Sequence, residues 1–515
     1  MQLSDRAGDI GSESIGRNNR KKYIKRNNRK SVTVKGTEQL RSKDKGSVMK
    51  TIVRTKKEKV TWKEFFQVVM AIAFPIAIQN LLGTTASMVD TIMIGSQGEL
   101  AVAAVGICSQ ISSLYFNCYW GFASGSVLFF SQYWGARDEE GINRTLGISL
   151  LFMSIVAVLF STICIFFPEF MLGIYTDKQN IIALGIPYLR IVGFSYLIQV
   201  VIVIVSTLMR STERIRQPLI GSVVAIIVNF VLNWILIYGR FGMPQMGAAG
   251  AAVGTLVSSI VNLGILFIYL YRTNGCVKLC REWIFRLNGV FVKGYLSKCF
   301  PIICNELLYG VGQMLINIVI GHQNESAIAA MAAFRVCEGF VYAFFGGLAS
   351  ATGVVVGKKV GGGELYKAHA YAKYSALVCP MVTFLIVLIG TIVNRPLFAL
   401  FGLGETALQY GKYMMLIYLF FGTVRTCNYI MNESFRAGGE AVFGTVVEII
   451  CLYAISVPAT WLAGMIWNLP FLLVFSFVYT DEIIRLVILG RYMIQGKWIK
   501  PVTSQGKAAL EDFFG

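Results

Sequence analysis

Three side chains in the first half of the chain have the types and spacing of a cation site. Asp90 is a carboxylate inside a long apolar run, Phe74–Gly95, which Pro75 interrupts near its start. About 20 mostly apolar residues suffice to cross a bilayer, and an acid within such a span is costly unless it meets a cavity or a partner. Asn229 and Asn233 lie four positions apart in another apolar run, so a helix puts both amides on one face. One carboxylate and two amide carbonyls are hard oxygen donors, suited to Na⁺ coordination or to a proton shared within a hydrogen-bond network. Two blander readings stay open: asparagines that only bond helices together, and an acid late in its helix near the membrane surface.

A second polar set is spread over three apolar runs of the other half: Asn305, Glu306, Tyr309 and Gln313, then Arg425 and Asn428, then Glu448. Glu306 and Gln313 are seven apart and share a helix face that passes Tyr309. An acid facing a cavity attracts an organic cation, and aromatic walls hold its ring. Candidate walls are Tyr115, Tyr119, Trp120, Tyr309 and Phe344, although aromatic residues in membrane spans are more often packing or interface anchors. An Arg425 beside Glu306 and Glu448 is expected to pair with one of the two. The chain has two histidines and scattered cysteines without a C-x-x-C pair, so neither a metalloenzyme nor a disulfide framework is indicated. No nucleophile–base pair or Gly-rich phosphate loop stands out, and no enzyme or cofactor is expected beyond a coupling ion, Na⁺ or H⁺.

The elements that must position these groups are membrane helices. The 515 residues are 55% hydrophobic and 15% charged, with a mean hydropathy of +0.61; soluble domains carry about 25% charged residues. Twelve spans emerge, at 65–94, 101–126, 144–168, 182–208, 217–239, 247–270, 294–320, 327–353, 369–393, 406–431, 441–464 and 470–491. Fourteen Lys and Arg in the loops after even-numbered spans oppose three after odd-numbered ones, which places the even loops and both termini in the cytoplasm of a multi-pass plasma-membrane protein. Residues 1–60, with 18 Lys+Arg and 6 Asp+Glu, read as a basic cytoplasmic tail near anionic lipid rather than a nucleic-acid arm or a secretory signal, with Met49 as an alternative start. The expected organisation is a first bundle at 61–275, a basic linker at 276–293, a second bundle at 294–493 and a cytoplasmic tail at 494–515.

The two bundles are copies. Phe74-Pro75-Ile76 recurs 226 positions on as Phe300-Pro301-Ile302, and Ile94-Gly95, Gly135 and Arg210 recur as Ile320-Gly321, Gly361 and Arg436. Asp90 has no acidic counterpart, because position 316 is Ile. Six spans is an even number, so the second copy enters from the same side. The predicted fold is an all-α membrane protein of twelve transmembrane helices in two six-helix bundles related by a parallel internal repeat, an arrangement typical of secondary transporters. Pro75 and Pro301 interrupt the two lead helices at equivalent places, as hinges or as ordinary kinks.

The stretch Leu208-Met209-Arg210-Ser211-Thr212-Glu213, followed by Gln217-Pro218, Asn229, Asn233, Tyr238-Gly239, Gly242-x-Pro244 and Gly247–Thr255, resembles the multidrug and toxic compound extrusion (MATE) family of cation-coupled efflux transporters. Val89-Asp90-Thr91 and Arg436-Ala437-Gly438-Gly439-Glu440 are similar to further motifs of that family, and the resemblance covers about Val60 to Met493. It implies that Asp90, Asn229 and Asn233 handle the coupling cation, and that the lobes rock between outward and inward states. By the same resemblance the substrate is a small, drug-like amphipath, often cationic, and the protein works as a monomer in lipid without nucleic acid. One departure stands out: a branch of the family carries a carboxylate in the tenth span, where this chain has Arg425. The alternatives are a flippase for a lipid-linked precursor and a non-transporting receptor or anchor.

Overall fold

A computed structural model describes residues 60–272, 279–286, 288–399 and 404–514; the basic arm lies outside them. The described residues are helical, and eleven helices are long and apolar enough to cross a membrane. The first lobe comprises α1 (Trp62–Gly95), α2 (Glu99–Ala136), α3 (Glu139–Phe166), α4 (Gln179–Ser211), α5 (Arg216–Tyr238) and α6 (Ala248–Arg272). The second comprises α7 (Gly289–Gly321), α8 (Glu325–Gly361), α9 (Leu365–Ile392), α10 (Glu405–Gly438), α11 (Val442–Ile466) and a broken twelfth span. At 1.5 Å rise per residue even the 23-residue α5 covers about 35 Å, enough for the hydrocarbon core.

Starts and stops follow local chemistry. Asp138 accepts from Gly141 N at 2.9 Å to open α3, and Asn324 accepts from Ala327 N at 2.8 Å to open α8. Asn288 accepts from Val290 N at 3.1 Å and starts α7 at Gly289, five residues before the sequence-based limit, so the basic linker is shorter than 276–293. The twelfth span, expected as one helix over 470–491, is instead α12 (Phe471–Phe477) and α13 (Thr480–Gln495). Val478 O, freed at the break, accepts from Ser456 Oγ at 2.5 Å, and Asn428 Nδ2 braces the first turn of α13 through Glu482 O at 2.8 Å. Internal partners of this kind are what permit a broken helix at membrane depth. The tail, expected only as a cytoplasmic extension, folds back: Trp498 is fully buried and Lys500 N donates to Gly438 O at 2.7 Å.

The repeat is physical as well as sequential. α2 and α8 cross at their C-terminal ends, where a Cβ on Gly135 would strike the backbone of Lys358 and one on Gly361 the backbone of Gln132. Positions 132 and 358, like 135 and 361, are 226 apart, so each contact is the image of the other, as at a two-fold axis. Only glycine lets these backbones approach so closely.

Interlobe contacts concentrate at the end carrying the even-numbered loops. Gln132 Nε2 donates to Ala437 O at 2.8 Å, Gln132 Oε1 accepts from Val502 N at 2.8 Å, and Lys358 Nζ lies 2.7 Å from Glu213 Oε2. Val60 and the buried residues of α1 from Phe65 to Ile76 form one core with the C-terminal half of α8. Toward the other end the lobes part. A Cβ on Gly347 would meet Ala77 N at 2.7 Å and one on Gly346 would meet Asn80 Nδ2 at 3.4 Å, but one on Gly339 would meet nothing within 4 Å. Gly339 and Gly346 are seven positions apart and share a face, so α8 leaves α1 between them.

Candidate functional site

In the first lobe the three predicted residues meet. Asn233 is fully buried on α5, and its Nδ2 donates to Asp90 Oδ1 of α1 at 2.7 Å. The Asn229 amide lies beside both. Turned with its nitrogen toward Asp90 it donates to Oδ1 at 3.0 Å while its oxygen accepts from Thr255 N at 3.2 Å. Asn233 Oδ1 is buried without a hydrogen-bond partner. Room for this amide comes from α6, where a Cβ on Gly254 would collide with Asn233 Oδ1. The carboxylate and the two amides that donate to it therefore form a half-buried, acid-bearing corner between α1, α5 and α6, away from the two cavities described next. Among the described residues no three His, Cys, Asp or Glu side chains cluster as a metal site.

The second lobe holds a cavity of about 140 Å³ lined by Asn305, Glu306, Tyr309, Arg425 and Glu448, all predicted, and by Trp120 from the first lobe. Gln313 lines a smaller adjoining cavity that shares Tyr309 and Arg425. Asn428 is fully buried, with its amide spent on Glu482 Oε2 at 2.8 Å. Of the proposed aromatic walls, Trp120 and Tyr309 line these cavities. Tyr115 and Tyr119 pack inside the first lobe, Tyr115 stacked on Tyr196 at 4.3 Å, and Phe344 is exposed on α8.

The expected partner of Arg425 was wrong. Its Nη1 lies 2.5 Å from Glu338 Oε1, Nη2 donates to the Tyr309 hydroxyl at 2.9 Å, and Nε is 3.9 Å from Glu482 Oε1. Glu306 and Glu448 are taken by other guanidiniums: Arg436 Nη1 is 3.7 Å from Glu306, and Arg485 Nη2 is 2.8 Å from Glu448. Asn305 and Asn432 each donate to the second oxygen of Glu448 at 3.2 Å. The charged residues that sequence reasoning missed are Arg335, Glu338, Glu433, Asp481, Glu482 and Arg485. Each is a charge in or beside an apolar span, and a plain census of such charges would have found them. Ion pairs link six carboxylates (Glu306, Glu338, Glu433, Glu448, Asp481, Glu482) to four guanidiniums (Arg335, Arg425, Arg436, Arg485). Fully ionised, the network keeps an excess of negative charge around its cavity.

The two-copy architecture recurs in known proteins. The profile of the MatE family matches twice, over residues 75–235 and 301–462, so both copies begin on the prolines Pro75 and Pro301. Among curated proteins, an uncharacterized transporter of Bacillus subtilis, YisQ, is 22% identical over 433 residues, covering 84% of this chain and 94% of its own. A probable multidrug resistance protein, NorM of Thermotoga maritima, is 21% identical over 447 residues, covering 83% and 92%. Among solved structures, the outward-facing form of a multidrug resistance MATE transporter superposes with a TM-score of 0.76 at 17% identity, over 86% of this chain and 96% of that one. Profile and architecture together make this chain a member of the MatE family of multi-pass membrane transporters.

Proposed function

We propose that the protein exports amphipathic small molecules, many of them cationic, from the cytoplasm in exchange for inward movement of Na⁺ or H⁺. Relatives named as multidrug resistance proteins support the efflux reading, and the acid-rich cavity of the second lobe supports the preference for cations. The observation that carries the coupling is the convergence of Asn229 and Asn233 on Asp90, with one buried carbonyl oxygen left without a partner. Asp90 is the one intramembrane acid of the first lobe's lead helix, and its position has no acidic counterpart in the second copy.

The cation occupies or protonates the Asp90 corner and changes what Asn233 and Asn229 bond to. That ties the lower half of α1, which is packed into the interlobe floor, to the state of the site. The floor closed at the even-loop end and α8 parted from α1 toward the other support a state open away from the even loops. The excess of basic residues in those loops supports an outward-open state with cytoplasmic termini. Pro75 and Pro301 sit inside continuous helices, where a missing N–H allows a bend as the lobes rock.

Proteoliposome efflux of a fluorescent organic cation, driven separately by a Na⁺ gradient and a pH gradient, tests the reading. One gradient should drive transport, and Asp90→Asn should abolish that dependence in protein that still inserts and stays monodisperse. Undiminished gradient-driven export by Asp90→Asn would overturn the assignment.

A further inference from the structure

The same five positions of the repeat build a polar cluster in each lobe, and the two clusters differ in charge. In the second lobe Asn305 donates to Glu448, while Arg436 lies 3.2 Å from Glu433 and 3.7 Å from Glu306. Subtracting 226 gives Gln79, Ser222, Arg210, Thr207 and Asn80. The geometry repeats: Gln79 Nε2 donates to Ser222 Oγ at 2.6 Å, the image of the Asn305–Glu448 bond. Arg210 takes the place of Arg436, but the three carboxylates are replaced by Asn80, Thr207 and Ser222. The only partner of its guanidinium among the described hydrogen bonds is a neutral amide, Gln79 Oε1 at 2.6 Å, and its Nε is buried without any.

A basic residue in the last turn of a helix is ordinarily explained by the helix dipole. Arg436 occupies the same turn of α10 and yet has acids around it, so the dipole does not account for the difference between the copies. What distinguishes Arg210 is an uncompensated positive charge beside a cavity of about 230 Å³ between the lobes. Hydroxyls of Ser124, Ser206, Thr207 and Ser350 line that cavity, with Trp120 and Val127 as an apolar wall. Glu433 also borders it, but that carboxylate is held by Arg436. The two neighbouring cavities share Trp120, Tyr429 and Glu433 but differ in character, one acid-rich and the other with a guanidinium that no acid among the described residues pairs.

We propose that the interlobe cavity is a binding site for the acidic group of an amphipathic organic anion, held by Arg210 and the surrounding hydroxyls. The inference rests on the efflux reading for its meaning, since it extends the exported class from cations to organic anions and to zwitterions that bridge both cavities. Charge-assisted bonds from a guanidinium to a carboxylate are about twice as strong as neutral ones, and the partner that Arg210 would give up for one is a neutral amide.

Equilibrium dialysis of the detergent-purified full chain with two radiolabelled probes sharing one ring system tests it: 1-naphthaleneacetate and 1-naphthylmethyl-trimethylammonium. The wild type should bind both. Arg210→Gln should weaken the carboxylate at least ~10-fold while leaving the cation within about twofold, and Arg210→Lys should retain part of the loss. Thr207→Glu restores the acid that lies 3.2 Å from the matching arginine of the second copy, so it should neutralise Arg210 and abolish carboxylate binding in a protein that still binds the cation. Equal carboxylate affinity in wild type, Arg210→Gln and Thr207→Glu would overturn the site, as would a wild type that binds only the cation. If the carboxylate depends on Arg210 but neither probe is exported from proteoliposomes under any gradient, the site stands and the efflux reading fails.

Discussion

Asn233 Nδ2 donates to Asp90 Oδ1 at 2.7 Å, joining α1 to α5 across 143 positions of chain. This bond lets the lead helix feel what happens at the corner, because anything that takes over Asp90 must compete with it. Asn233→Ala removes the donor and the free carbonyl together, whereas Asn233→Asp keeps an oxygen but adds a second negative charge. The first should raise the cation concentration needed for half-maximal export by about tenfold, the cost of ~1–3 kcal/mol for a lost bond to a buried charge. The second should shift the pH profile of transport upward, because two adjacent carboxylates cannot both ionise easily. Export rates against external Na⁺ and pH measure both.

Gly254 has a different job at the same place. Its missing side chain is the space that Asn233 Oδ1 fills, so Gly254→Val should displace the amide without touching Asp90. The expected result is a coupling defect like that of Asn233→Ala, with overpacking costing about 1–3 kcal/mol. Transport assays paired with a thermal melt in detergent would separate the two effects.

Arg485 holds Glu448, Glu482 and Asp481 at 2.8, 3.3 and 3.5 Å in a site where its side chain is 5% exposed. Arg485→Met leaves three acids without their shared counter-ion and should cost about 3–5 kcal/mol, the usual result of removing one partner of a buried pair. Arg485→Met combined with Glu448→Gln should recover part of that loss. Melting temperatures of the single and double variants form the cycle that checks it.

At the interlobe floor, Gly135→Leu and Gly361→Leu should each force α2 and α8 apart, since the new side chains meet backbone rather than a flexible chain end. Because the contacts are images of one another, the two variants should behave alike. The prediction is lost transport and increased labelling of a cysteine placed at Ser350 by a thiol reagent added from the side of the even loops. Unchanged labelling would show that the floor does not depend on this crossing.

The tail brings a pH dependence of its own. Although burial pushes the Glu440 carboxyl upward, the Lys500 ammonium and the backbone N–H groups of Phe443 and Val442 outweigh it and hold the group below the usual carboxylate range. A carboxyl whose folded value is depressed adds stability above its unfolded value, and that contribution disappears as pH falls through the folded one. The tail should therefore be docked at neutral pH and loosen in acid below about pH 4. Glu440→Gln should remove this pH dependence. Protease cleavage near Trp498, followed from pH 7 down to pH 3, reads it directly.

Much of this architecture could be read from residue order alone, because a bilayer imposes rules on sequence that water does not. Backbone groups in hydrocarbon must bond internally, so apolar runs of about 20 residues declare helices, and a 226-residue offset declares two bundles. The pairing of Asp90 with Asn229 and Asn233 was legible for the same reason, since few polar groups are tolerated in those runs and they have few partners to choose from. The second lobe was not legible in that way. Ten charged side chains crowd one region there, and which guanidinium takes which carboxylate depends on how α7, α8, α10 and α13 are rotated about their axes. Arg425 accordingly found Glu338, a residue on a helix that sequence spacing could not aim. Nor could the order of residues say that the twelfth span breaks at Val478, that the tail returns to cover Gly438, or that Arg210 and Arg436 share a position but not a charge environment. Those outcomes belong to packing: a contact between distant segments is set by the orientation of whole helices, and no local pattern encodes it.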